Sequence, residues 1–210
     1  MKYICSWSGG KDSTATIILA HEHGEPIDEI IFSEVMFDDR ISGELPEHID
    51  FIKNKAIPVF ESWGYKVTIL HADKNYMDCF NHIVQKSKVE ERNGKRAGFP
   101  MAGKCVINRE CKVGIIKKYL KQIDDKIEYI GIAIDEPKRL ARLDDAHISL
   151  LAKYNMTEQD AYKLCEKYDL LSPIYSFAPR GGVGSAQMQD TMNSSDLEMD
   201  TEIYGSCCLP

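Results

Sequence analysis

The sequence predicts an α/β fold, a parallel sheet covered by helices on both faces. Three observations carry that reading. Short apolar runs alternate with stretches of helical periodicity from residue 2 to residue 168; a glycine turn joins the first run directly to the first helix; and no apolar run approaches the roughly 18 residues of a spanning helix. Strands alternating with helices imply crossover connections, which lay helices over both faces of the sheet they build. The 210 residues, at roughly 100–200 per domain, support one main domain.

Residues 2–6 form the first strand, and 14–23 have the spacing of an amphipathic helix. Residues 27–35 read as a second, buried strand. Residues 45–63 read as a helix, with Gly64 where a terminal glycine stops it. A third strand is expected over 66–70 and a helix over 76–85. The stretch 86–98, with Lys86, Lys88, Arg92, Lys95 and Arg96, reads as a basic loop. Residues 110–122 are helical by pattern, 127–134 form a fourth strand, and 157–168 a last helix opened by Thr157 as its cap. Beyond Pro173 both periods fade, and 183–210 mixes Ser, Met, Gln and acids in a way that predicts disorder.

The net charge of −7 argues against nonspecific affinity for nucleic acid or an anionic membrane. Its distribution is uneven: no Lys or Arg follows Arg180, while Asp190, Asp196, Glu198, Asp200 and Glu202 are acidic. The basic loop is a candidate for a nucleic acid backbone, weakened by Glu90 and Glu91 and by the lack of interleaved aromatics. Seven cysteines are an odd set without the spacing of a secreted disulfide scaffold. The chain opens Met1-Lys2-Tyr3-Ile4-Cys5 and reaches a polar turn by Ser8, without the apolar core of a signal peptide, so a cytoplasmic location and no membrane contact are expected.

The strongest signal is Ser8-Gly9-Gly10-Lys11-Asp12-Ser13-Thr14, between the first strand and the first helix. Glycines permit a backbone that presents successive N–H groups to an anion, and a helix N-terminus adds its dipole and unpaired donors. Lys11 adds a positive charge, and Ser8, Ser13 and Thr14 add hydroxyls. Asp12 either caps the helix or reaches a metal ion carried by the phosphates. The spacing is neither the Walker pattern nor Gly-x-Gly-x-x-Gly. Trp7 adjoins the turn and serves either the core or an adenine ring, while Asp38 and Asp39 follow the second strand and read as solvated loop acids.

This turn resembles the PP-loop, Ser-Gly-Gly-x-Asp-Ser, of the ATP pyrophosphatase and adenine nucleotide alpha-hydrolase-like superfamily. The resemblance implies a Rossmann-like domain over residues 1–182 that binds ATP or another adenine nucleotide with Mg²⁺. It also implies attack on the α-phosphate, release of pyrophosphate and transfer of adenylate to an acceptor that the residues do not identify. Further on, Gly131-Ile132-Ala133-Ile134-Asp135-Glu136-Pro137-Lys138-Arg139 is similar to an element of the phosphoadenosine phosphosulfate (PAPS) reductase family. By that likeness Asp135 and Glu136 join the nucleotide site and Arg139 joins Lys11 and Asp12 of the turn as a catalytic candidate. The chain departs from the reductase proper in keeping the Lys11-Asp12 pair and in lacking a Glu-Cys-Gly-Leu-His tail. Both departures favour an ATP-using relative, with PAPS or adenylyl sulfate reduction and a catalytically silent nucleotide binder as alternatives.

Cys105 and Cys111 precede a helix and, taken alone, read as two ordinary thiols, too few for a closed zinc or iron–sulfur site. Relatives in this branch have a later Gly-Gly-Cys-Trp-Phe-Cys-Pro-Asn segment, whose cysteines would complete a four-cysteine metal site. Here Gly181-Gly182 is followed by Val183-Gly184-Ser185-Ala186-Gln187-Met188-Gln189-Asp190-Thr191. Encoding Gly182 onward as GGT GTT GGT TCT GCC CAA ATG CAA GAT AC and dropping two letters yields Cys-Trp-Phe-Cys-Pro-Asn-Ala-Arg-Tyr. The expectation is that one nucleotide was lost within the Gly182 codon, making 183–210 an out-of-frame translation and leaving the metal site incomplete in this chain; a natural divergent tail is the alternative.

Overall fold

The protein is described by a computed structural model covering residues 1–98 and 105–177. Its sheet consists of β1 (Lys2–Trp7), β2 (Glu29–Glu34), β3 (Val67–His71), β4 (Lys126–Tyr129) and β5 (His147–Ile148). The order is β3-β2-β1-β4-β5 and every pair is parallel, the expected Rossmann-like α/β arrangement. The helices are α1 (Lys11–His23), α2 (Pro46–Phe51), α3 (Ile57–Ser62), α4 (Tyr76–Asn81), α5 (Gly114–Leu120), α6 (Pro137–Leu140), α7 (Leu150–Lys153), α8 (Glu158–Lys167) and α9 (Ile174–Phe177).

The two-residue period of the strands sorts their side chains between two cores. Cys5, Trp7, Ile30 and Phe32 face one side, where α1, α3, α7 and α8 cover them; Ile4 and Ile31 face the other, against α5. Ile4, Ile17, Ile18, Ile30, Ile31 and Phe32 are fully buried. Each contributes about 1.5–3 kcal/mol, so β1, β2 and α1 form the firm centre on which the glycine turn is mounted. The helix expected over 45–63 is present as α2 and α3, joined by a π-helical turn, Ile52–Ala56. Pro58 explains that turn, because proline donates no N–H and its ring crowds the carbonyl of the preceding turn.

Some boundaries differ from expectation. The fourth strand stops at Tyr129 instead of running to 134: Ile130 N–H still reaches Ile148, but Ile134 N–H bonds Met156, so the chain has left the sheet. The helix expected over 76–85 stops at Asn81, and Ile83 pairs antiparallel with Arg96, closing the basic stretch on itself. β5, α6, α7 and α9, of two or four residues each, are too short to carry a detectable period. The predicted tail, 183–210, lies outside the described residues. Among the described residues no helix is long and apolar enough to cross a membrane.

Candidate functional site

The glycine turn leaves the carboxyl end of β1, which lies between β2 and β4. The chain passes to one side of β1 first and to the other later, and ligands of open parallel sheets bind outside such a switch point. Gly9 has φ +77, the left-handed region, and a Cβ on it would lie 2.6 Å from His48 Cε1 and 2.8 Å from Ile52 Cδ1. Conformation and space both demand glycine there. His48 is buried on α2, bonds Ser172 Oγ through Nδ1 at 2.8 Å, and also meets the Ser8 backbone. Burial holds its pKa below the ordinary value, so it supports the turn as a neutral ring.

The hydroxyls expected to face a ligand brace the turn from within. Ser13 Oγ accepts Ser8 N–H at 3.2 Å and donates to Gly10 O at 3.1 Å. Thr14 is fully buried and its Oγ1 accepts Trp7 Nε1–H at 2.9 Å. Trp7 is thereby a core residue, packed on Phe32 and Phe60. Ser8 Oγ lies 3.2 Å from Ser13 Oγ and accepts Gly10 N–H at 3.4 Å. The first-turn amides of α1 have no partner within the helix. That of Lys11 donates to Tyr175 OH at 2.8 Å.

The positive charge of Lys11 is pinned in place. Its Nζ lies 2.9 and 3.0 Å from the Asp12 oxygens and 3.1 Å from Glu158 Oε2, with its side chain 10% exposed. Burial opposes its charge, but the bonds to Asp12 and Glu158 prevail and its pKa is raised. Burial pushes Asp12 up, against the pull of Lys11 and with the repulsion of Glu158 and Glu136.

The segment after β4 comes to the same place. A Cβ on Gly131 would lie 2.6 Å from Ser13 N and 2.7 Å from Asp12 C, so the bare glycine lets the end of β4 lie against the first turn of α1. Asp135 Oδ1 accepts Glu158 N–H at 3.2 Å, and Glu136 is clasped by Arg139 Nη1 at 2.7 and 2.9 Å. Glu158, which meets both Lys11 and Asp135, and the repulsion of Asp12 by Glu136, which Arg139 holds, link these residues from two distant stretches of sequence in one chain of interactions. Glu158, His48, Ser172 and Tyr175 were missed. Only Glu158 left a trace, following the Thr157 cap, and an acid in a first helical turn has a sufficient local reason there.

Cys105 and Cys111 lie elsewhere, with Val35, Ile107 and Cys79 in a small apolar cluster. Cys79 Sγ is 3.7 Å from Cys111 Sγ. Burial raises Cys79 and pushes the Cys111 thiol up to about 12, which suppresses thiolate chemistry. Among the described residues no group of three or more His, Cys, Asp or Glu side chains is arranged to hold a metal ion. Asp38 stays local, accepting Arg40 and Ile41 N–H, while Asp39 Oδ1 accepts from Asn75 Nδ2 at 3.0 Å.

On the same edge of the sheet a groove of about 440 Å³ opens beside α2, lined by Glu34, Met36, Ile49, Lys53 and His71 among others. Its floor is the buried Glu34 carboxylate, held by Lys53 Nζ and His71 Nε2 at 2.9 Å each.

No family model and no curated protein matches the chain. Among solved structures it resembles a U34-tRNA thiolase, NcsA from Methanococcus maripaludis, with its 4Fe-4S cluster, at 18% identity and a TM-score of 0.47. The likeness covers 82% of this chain and 57% of that one, so the chain spans little more than half of the neighbour's length. At that level the likeness says nothing about activity.

Proposed function

We propose that this protein binds ATP through the turn Ser8 to Ser13 and cleaves it between the α- and β-phosphates, adenylating a second substrate and releasing pyrophosphate. The observation that carries the reading is the start of α1, mounted at the switch point behind a left-handed Gly9, with the Lys11 ammonium already held over it. The likeness of this turn to the PP-loop supports ATP as the nucleotide.

In this reaction the acceptor's nucleophilic atom attacks the α-phosphorus and the bond from that phosphorus to the bridging oxygen breaks. Adenylate joins the acceptor, and pyrophosphate leaves with the bonding pair. Charge grows on the leaving oxygens, and first-turn amides together with Lys11 are pre-arranged donors for it. Glu158 and Asp12 hold the ammonium in place until the polyphosphate takes over as its counter-charge. Arg139, clasped by Glu136, is a second cation at the rim. Mg²⁺ takes hard oxygen ligands and needs few carboxylates beside phosphate oxygens, a set that Asp12 and Glu158 fit; when bound it supplies charge neutralisation. Burial pushes the Cys165 thiol, beneath Lys11, up to about 12, and the buried Cys5 is raised as well. These two buried thiols are therefore poor nucleophiles.

Titration calorimetry with ATP and an enzyme-coupled assay for pyrophosphate test the proposal. Wild type is expected to bind ATP, and Lys11→Ala to weaken binding by about tenfold or more, the loss of a charge-assisted contact. Absence of heat at millimolar protein sinks the proposal. Binding without pyrophosphate release marks a silent binder, and sulfite formed from PAPS with a thiol donor marks a reductase.

A further inference from the structure

Tyr175 belongs to α9, far along the chain from the turn it touches. Its hydroxyl accepts Lys11 N–H at 2.8 Å, and a Cβ on Gly10 would lie 3.3 Å from the same oxygen. That amide opens α1 and is one of those that draw an anion to a helix start. A phenol both accepts and donates. The accepting side of Tyr175 is used by Lys11, and among the described residues no acceptor takes its O–H proton. Burial raises its pKa, so the proton is retained. The same segment grips the turn a second time, since Ser172 bonds His48, whose ring lies against Gly9. The ring of Tyr175 stands edge-on to Tyr162, with centroids 6.1 Å apart, an apolar contact that phenylalanine would serve equally well.

We propose that Tyr175 is a polyphosphate ligand: it keeps the bond from Lys11 and donates its O–H to a phosphate oxygen seated over the turn. The segment from Ser172 to Tyr175 is then one wall of the site. This rests on the nucleotide reading above and adds a recognition group that the PP-loop likeness did not supply. Its consequence is selectivity for ligands carrying a polyphosphate, whatever their base.

The test is calorimetric titration of wild type and Tyr175→Phe with inorganic tripolyphosphate and with ATP. The variant is expected to lose about tenfold in affinity, the worth of one hydrogen bond to a charged acceptor, and by the same factor for both ligands. Tyr162→Phe, which changes only the ring neighbour, should leave both affinities unchanged. Unchanged or tighter binding by Tyr175→Phe overturns the proposal, and tighter binding would make Tyr175 a cap that the phosphate expels. Should the variant not fold, peptide-resolved nitration of wild type decides: tripolyphosphate is expected to protect Tyr175, and enhanced nitration overturns the idea. If wild type itself binds neither ligand, the nucleotide reading fails and this falls with it, a result distinct from a failure of the variant alone.

Discussion

Gly9 carries two demands at once, a left-handed backbone and the absence of any atom where the His48 ring lies. Gly9→Ala is expected to cost about 1–3 kcal/mol. At roughly 2–4 °C per kcal/mol for a chain of this size, thermal unfolding should detect it readily. Glu34 makes a different prediction. Burial acts to raise its pKa, but bonds from His71, Lys53 and Ser42 outweigh burial, and it titrates below the ordinary 4.5. A carboxyl depressed by folding contributes stability that is full above about 4.5 and is lost as pH falls through the folded value. Glu34→Gln should therefore lower stability near neutrality and flatten its decline in mild acid, read as denaturant midpoints across that range. A variant whose midpoint declines as steeply as wild type would show that other carboxylates govern acid unfolding.

At the scale of elements, the site depends on how closely the end of β4 approaches the start of α1. Gly131 makes that approach, and Gly131→Ala would drive a methyl into the Asp12–Ser13 backbone. Overpacking of this kind costs about 1–3 kcal/mol. Because the displaced atoms belong to the proposed phosphate cradle, ATP affinity should fall together with thermal stability. An affinity that survives a measurable loss of stability would separate the β4 end from the site. Helix α8 contributes through its own start, where Thr157 Oγ1 accepts Asp160 N–H and Asp160 Oδ2 accepts Thr157 N–H. That cap sets the first turn of α8 and with it Glu158, the partner of Lys11. The strand and helix patterns up to residue 70 were legible because each element is long enough for its period to repeat, and because Gly64 marks a stop. The two-residue β5 and the four-residue α6, α7 and α9 were not, since no period fits inside them.

For the whole molecule, the loss of basic residues after Arg180 and the Cys-Trp-Phe-Cys-Pro-Asn string recovered by a frame change make one prediction about the gene. Source DNA read through the Gly182 codon is expected to show one nucleotide missing relative to intact relatives; an unbroken frame with relatives that begin Val-Gly-Ser-Ala would refute it. If 183–210 is out-of-frame translation, a chain shortened after Gly182 is expected to unfold at the same temperature as the full chain, which thermal melts of the two would check.

Local chemistry was enough to specify the alternation of strands and helices, the strand–turn–helix junction at Ser8 to Thr14 and the acid–arginine run after β4. Each depends on residues within a few positions of one another, where period, conformational freedom and charge act directly. Folding alone decided that Ser13 and Thr14 turn inward, that Lys11 lies between Asp12 and Glu158, and that His48, Ser172 and Tyr175 close around the turn. These partners are separated by up to 164 positions along the chain. Their meeting follows from the parallel order of the sheet and from burial that leaves each polar group a single place to find its bond.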